Sequence, residues 1–319
     1  MRVFVRVLAV SLLCTGFVLA QAFPTRPIRI LVPSVAGSSP DIRARQIATK
    51  LSESFGQPVI VENRPGANGL IAAREAAKAP ADGYTLFLAL INDSVRDALN
   101  PDPCCRLGQE LLPVSRFSMT PYFIVVYPGM PAQSLKELLE LAKAKPDSVS
   151  YASHGPGSLA NLLGEWLKAE TGARLLEVPY KGVNSEIPDL QSGQVMMAFV
   201  VPQVVLGAVR GGKLRVLAVT ARERLAILPD APTTAEAGVP GLEAVVWNGI
   251  FVPAGTPQTV VQTLHRELVR VYNAPEIREQ LRSGGSYAAA DSPEEFAIFV
   301  RAEKEKWSRV IREAGIRPQ

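Results

Sequence analysis

Two short stretches combine the residue types that recognise an anion. Residues 34–40 read Ser-Val-Ala-Gly-Ser-Ser-Pro and residues 153–158 read Ser-His-Gly-Pro-Gly-Ser, and each feeds an amphipathic segment. A helix start leaves amide N–H groups without carbonyl partners and carries the positive end of the helix dipole, so an anion is held well there. The hydroxyls of Ser38, Ser39, Ser153 and Ser158 add donors, and Gly37, Gly155 and Gly157 let the backbone approach a ligand closely. Either stretch alone is also what ordinary helix capping requires. Two of them, in different halves of the chain, favour a ligand.

Chemistry on that ligand would need a base or a nucleophile in a recognisable setting. The metalloprotease, nucleophile-elbow and P-loop spacings are missing from the sequence, and no Gly-x-Gly-x-x-Gly follows the first strand. Its two histidines, His154 and His265, form no zinc-type set with cysteines, so no metal and no cofactor is expected. Cys104 and Cys105 are adjacent, with Cα atoms about 3.8 Å apart where a disulfide usually spans about 4.4–6.8 Å. They read as a structural pair in a loop, with a strained vicinal disulfide as the other option.

The elements that must position the two loops are legible in the pattern. Residues 27–33 form an apolar run between prolines, as a buried strand does. Ser39 then serves as N-cap, Pro40 as first helical residue and Asp41 as an acid in the first turn of a helix through residue 55. Strands are expected at residues 59–62 and 84–90, around a Gly/Pro/Asn loop at 63–69 and an Ala-rich helix at 71–79. A second block repeats the rhythm, with strands at 122–127, 149–152, 175–179, 195–201 and 214–220 and helices at 135–144, 159–170 and 185–191. A strand at 247–252 and helices at 259–272, 276–283 and 293–314 complete the chain, and the Pro/Gly-rich residues 228–241 suggest a crossing between blocks. Alternation of this kind gives an α/β fold with mostly parallel sheets.

Composition fits that picture. The chain has 319 residues, 47% of them hydrophobic and 20% charged, enough for about two domains with real cores. A formal charge of +4 without any long basic run argues against nucleic acid. Arg2 and Arg6 precede an apolar run at residues 7–20 that ends in Ala20-Gln21-Ala22. This reads as a signal peptide over residues 1–22, cleaved near Ala22, since a membrane span needs about 20 apolar residues. Without it the charge surplus falls to two, and the expected mature protein is exported and nearly neutral.

Longer motifs carry a resemblance. Residues 26–33 (Arg-Pro-Ile-Arg-Ile-Leu-Val-Pro), 56–69 (Gly-Gln-Pro-Val-Ile-Val-Glu-Asn-Arg-Pro-Gly-Ala-Asn-Gly), 80–86 (Pro-Ala-Asp-Gly-Tyr-Thr-Leu) and 178–182 (Val-Pro-Tyr-Lys-Gly) resemble the Bug-type receptors of tripartite tricarboxylate transporters. Residues 228–238 and 247–257 match as well, so the resemblance spans essentially the whole chain after residue 22. It implies a periplasmic binding protein of the type II-like, Venus-flytrap kind. Its two lobes would be residues 23–121 plus 246–319 and residues 122–245, each a mostly parallel sheet flanked by helices. The implied ligand is a small organic acid, and the implied partners are transporter membrane subunits. A sensor protein as partner, an aromatic acid or a neutral amide as ligand, and an exported hydrolase are the alternatives. A monomer is expected.

The resemblance also assigns a site: Ser34, Val35, Ala36, Gly37, Ser38, Ser39 and Asp41 in the first lobe, with Asn92 and Ser94 after the third strand. From the second lobe come Ser153, His154, Gly155, Gly157, Ser158 and Asn161, together with Tyr180 and Val200. Some positions depart from the family pattern. Ser34 stands where the family usually has an aromatic ring, and Val200 where many members carry an aspartate that pairs with a ligand amine. A buried ammonium without a partner costs several kcal/mol, so an amino-acid ligand is disfavoured. Trp166, Trp247 and Trp307 read as packing residues, and residues 62–64 as a structural turn.

Overall fold

The computed structural model describes residues 23–100 and 104–316; the expected export signal, residues 1–22, lies outside them. In chain order the first elements are β1 (Ile28–Val32), α1 (Ser39–Phe55), β2 (Val59–Asn63), α2 (Leu70–Ala77), β3 (Thr85–Leu90), α3 (Ile91–Leu99) and β4 (Leu111–Pro121). The middle of the chain gives β5 (Phe123–Val126), α4 (Leu135–Ala144), β6 (Val149–Ser153), α5 (Leu159–Thr171), β7 (Leu175–Pro179), α6 (Val183–Ser192), β8 (Met197–Val200), α7 (Pro202–Arg210) and β9 (Arg215–Val219). It closes with β10 (Val245–Pro253), α8 (Gln258–Tyr272), α9 (Pro275–Ser283), β11 (Tyr287–Ala288) and α10 (Pro293–Glu313).

These strands form two sheets, in the orders β11-β4-β10-β3-β1-β2 and β7-β6-β8-β5-β9. Both are flanked by helices, as expected of an α/β fold, but they are mixed rather than mostly parallel. β1 pairs parallel with β2 and β3, and β6 with β7 and β8. β10 runs antiparallel to both β3 and β4, and β5 to both β8 and β9. The antiparallel strands are the ones beside which the chain passes between sheets. Among the described residues no helix is long and apolar enough to cross a membrane.

Four elements were not expected from the sequence. α3, α7 and the two-residue β11 were passed over there, and β4 carries two prolines plus Ser115, Arg116 and Ser118. Those polar side chains are buried, with Ser115 bonded to the Asp291 carbonyl and Arg116 paired with the Asp291 carboxylate. Burial with partners makes β4 readable only in three dimensions.

The chain leaves the first sheet after Pro121 and returns at Val245, and these two residues are ladder partners in β4 and β10. Thr220 ties the two passages together. Its Oγ1 accepts the Tyr122 amide at 2.8 Å and donates to the Ala244 carbonyl at 2.5 Å, while its own amide donates to Tyr122. Residues 228–241, expected to cross, instead return along β9, with Val219 bridged to Thr233. The crossing is confined to the few residues before Val245.

One apolar cluster runs under both sheets, including Phe87, Trp247 and Phe251 of the first and Tyr151, Trp166 and Phe199 of the second. Trp166 of α5 meets Trp307 of α10 within it. Trp247 is fully buried among Phe251, Phe296 and Phe299 and donates to Glu303.

Candidate ligand cleft

α1 and α5 begin with the same device. Ser38 and Ser158 are the N-caps, both in extended conformation, each one residue after a left-handed glycine, Gly37 or Gly157, at φ 78°. Only glycine takes that φ without strain. The Gly37 amide donates to Asp41 Oδ2 at 2.8 Å, and the Gly157 amide to Asn161 Oδ1 at 3.0 Å. The amides of Ser38 and Ser158 donate to the carbonyls of Val35 and Gly155. A Gly-Ser-x-x-Asp/Asn turn therefore occurs twice, once in each sheet unit. The N-cap expected at Ser39 falls on Ser38, because Ser38 is the last residue with extended backbone.

The two turns differ in charge. Asp41 is buried and accepts from Arg45 Nε at 3.1 Å and Asn63 Nδ2 at 2.9 Å. The Arg45 guanidinium, with the Gly37 and Asn63 donors, holds its pKa near 2 against the opposing effect of burial. Asn63 also donates to the Ser34 carbonyl at 3.0 Å, so the end of β2, where a turn was expected at residues 62–64, braces this loop. In the second turn the neutral Asn161, equally buried, does the work of Asp41. Asp41 and Asn161 thus shape their loops from behind.

The cleft lies between the sheet units. One hollow of about 500 Å³ is lined by Asn68, Asn92, Val95, Arg96, Leu99 and Asn100 on one side and by Tyr122, His154, residues 156–160 and Phe199 on the other. A second, of about 450 Å³, lies against Ser34, residues 66–69, Leu90, Asn92 and Asp93, and shares Asn68 and Asn92 with the first. Ser34 before α1, the starts of α3 and α5 and the loop at 66–69 therefore border a cleft made of two hollows that share Asn68 and Asn92. Of the residues assigned from sequence, Ser34, Asn92, His154, Gly157 and Ser158 line it.

The others sit around it. Val35, Ala36, Gly37 and Ser39 form an exposed loop tip, with Val35 61% exposed. Ser38 Oγ is occupied by the Val35 carbonyl at 2.7 Å and Ser34 Oγ at 2.8 Å. Ser153 is buried, donates to Glu177 and accepts the Gly155 amide at 2.9 Å. Ser94 is buried, and its Oγ has no partner. Tyr180 donates to Asp189 at 3.0 Å and packs against the apolar cluster of the second sheet. Val200 is buried in that same cluster, and its neighbour Phe199 faces the cleft instead. Strand alternation accounts for that exchange.

Charge in the cleft is paired. Arg96 is buried between Asp93 and Asp97 at 2.5 and 3.0 Å. His154 Nε2 lies 2.9 Å from the buried carboxylate of Glu186, and this hydrogen bond raises the imidazole pKa above its usual value. Burial raises the Tyr122 phenol, so it faces the cleft as a neutral hydroxyl. What remains for a ligand is a set of dipoles, namely helix-start amides, the carboxamides of Asn68, Asn92 and Asn100, and hydroxyls, around the apolar Val95, Leu99, Leu159 and Phe199. Asn68, Arg96, Leu99, Tyr122 and Phe199 were not identified from sequence. Only Asn68 had a local signal, in the Pro-Gly-Ala-Asn-Gly run, where it takes φ 49°.

The family model described as tripartite tricarboxylate transporter family receptor matches residues 43–316. Protein BugT of Bordetella pertussis is 35% identical over 298 residues, 93% of this chain and 91% of that protein. Among solved structures, an R. palustris protein with adipate is 33% identical at a TM-score of 0.76, covering 93% of this chain and all of that one. MatC from Rhodopseudomonas palustris with bound malate is 29% identical at a TM-score of 0.74, covering 91% of this chain and 100% of that one. The periplasmic binding protein BugD is 31% identical at 0.73, with 93% and 100% covered.

Proposed function

The chain belongs to the tripartite tricarboxylate transporter receptor family, and from that membership we propose that it is a periplasmic solute-binding protein for a small aliphatic dicarboxylate. It is a receptor and not an enzyme. The observation that carries the ligand class is the cleft's charge pattern. Helix starts and neutral donors from both sheet units face it, while Arg96 and His154 are already matched by carboxylates. Such a site holds an anion by oriented dipoles in a space partly screened from water. The apolar side chains suit a methylene chain between two carboxylates, and the relatives solved with malate and adipate support a ligand of about four to six carbons.

The same proposal takes residues 23–121 plus 246–319 and residues 122–245 as lobes that close on the ligand, with Thr220 at the pivot. The closed form is handed to the membrane subunits of a tripartite transporter. Thermal unfolding with succinate, malate, adipate, benzoate and adipamide tests the ligand class. A diacid is expected to raise Tm by several degrees at saturation, in proportion to the logarithm of its concentration. Equal stabilisation by the diamide, or none by any diacid, overturns it.

A further inference from the structure

We propose that Cys104 and Cys105 are a thiol–disulfide exchange site linked to α3, a helix that lines the cleft, and oxidised by a small disulfide such as oxidised glutathione. In an extended chain adjacent side chains point apart. Here the left-handed backbone at Cys105, φ 67°, turns both inward, and the two Sγ atoms lie 2.6 Å apart. Neither is joined to another cysteine.

The two sulfurs are not equivalent. Cys104 is partly exposed and accepts a hydrogen bond from Arg74 Nε at 3.1 Å. The thiolate is the nucleophile in exchange, and only the Cys104 sulfur is open to a partner from solution. Cys105 is buried against the core shared by Val95 and Leu107, and burial pushes its thiol up to about 12. Cys104 therefore attacks first. Its thiolate displaces one glutathione as thiol and forms a mixed disulfide. Cys105 then gives up its proton and attacks the Cys104 sulfur, releasing the second glutathione as thiol. Two cysteine S–H groups become one S–S bond, and one glutathione disulfide becomes two thiols.

The pair is coupled to the cleft through Leu107 and α3. Asn100 and Leu99 line the cleft, and Leu107 is fastened to α3 by its amide, which donates to Asp97 Oδ2 at 2.9 Å. A vicinal bond re-sets the backbone at residues 104–105, two residues before that fastening to α3. Because Cα atoms about 3.8 Å apart are closer than a disulfide prefers, the bond belongs to the labile, reversible class.

The test incubates the full chain in oxidised and reduced glutathione and maps the peptide carrying residues 104–105 by mass spectrometry. The expected product has lost two hydrogens and regains them in excess reduced glutathione. Cys105→Ser is expected to trap glutathione on Cys104, while Cys104→Ser leaves Cys105 unmodified under the same conditions. Amide hydrogen exchange over residues 91–99 is expected to differ by about fivefold or more between the two redox forms of the wild type. No intramolecular product at any glutathione ratio, or equal trapping at both sulfurs, overturns the site. Identical exchange in α3 overturns its coupling to the cleft. None of these readouts depends on the cleft's ligand.

Discussion

Trp166 on α5 and Trp307 on α10 meet edge to face, ring centroids 6.0 Å apart, where the helix carrying the second serine loop packs on the last helix of the first sheet unit. Trp307 donates to Glu303 Oε2 at 3.1 Å, and Trp247 donates to the same oxygen at 3.2 Å. One buried carboxylate thus orients two indoles, one of which fixes the far end of a ligand-facing helix. Trp307→Ala opens a cavity and removes a partner of Glu303, and is expected to cost about 3–5 kcal/mol in urea unfolding. Trp166→Phe keeps an aromatic edge and is expected to cost less than about 2 kcal/mol. Equal losses for the two would show that the contact does not join the units.

The two turns invite an exchange of side chains. Asp41 has Arg45 one helical turn on, whereas Asn161 has Glu165 in that place. Asn161→Asp therefore sets two carboxylates at i,i+4 behind a helix start meant for an anion. It is expected to weaken diacid binding by about tenfold or more in calorimetric titration. Asn161→Ala leaves the Gly157 amide without its acceptor and is expected to lower stability by about 1–3 kcal/mol.

Asp41 gives a pH signature. Its pKa near 2 lies below the unfolded carboxyl value, so its contribution is present at neutral pH and is lost as pH falls from about 4 toward 2. Asp41→Asn keeps an acceptor for Gly37 but gives up the charge facing Arg45. It is expected to cost about 1–2 kcal/mol at pH 7. The gap between variant and wild type should close in acid, as read by denaturant midpoints at stepped pH.

His154 has the opposite sign. Pairing with Glu186 raises its folded pKa, so the stabilisation is complete below the unfolded value of about 6.5 and is lost as pH rises through the folded pKa. Histidine NMR resolves this readily, because the only other imidazole is His265. His154 is expected to titrate above its ordinary value in the wild type and to fall back in Glu186→Gln. An unchanged titration in that variant would show that Glu186 does not hold the ring.

The strand–helix rhythm and both serine loops were legible because each rests on a local rule: apolar runs between prolines for β1, and Gly, Ser and an acid or amide at fixed spacing for α1 and α5. What the chain did not disclose locally depends on distant partners. β4 carries polar residues yet is buried in the fold, since Asp291 and Phe299 of α10, which face Arg116, come from far along the chain. Phe199 faces the cleft in place of Val200 because strand register, not residue type, selects the face. Asp41 looked like a ligand contact by position, whereas its burial and three side-chain and backbone donors make it the brace of its own loop.

The pairing of Pro121 with Val245 carries a consequence for how the chain folds. β4 and β10 are an antiparallel pair whose connecting loop is the entire second sheet unit, and closing a loop grows costlier with its length. If residues 122–244 remained a random coil, the central pairing of the first sheet would be among its slowest contacts to form. A second unit that folds on its own presents Tyr122 and Ala244 side by side, already joined through Thr220, and the long loop becomes kinetically a tight turn. Folding of residues 122–244 ahead of the β4–β10 pairing is then the faster order, and Thr220 is the residue that holds the two passages together for it.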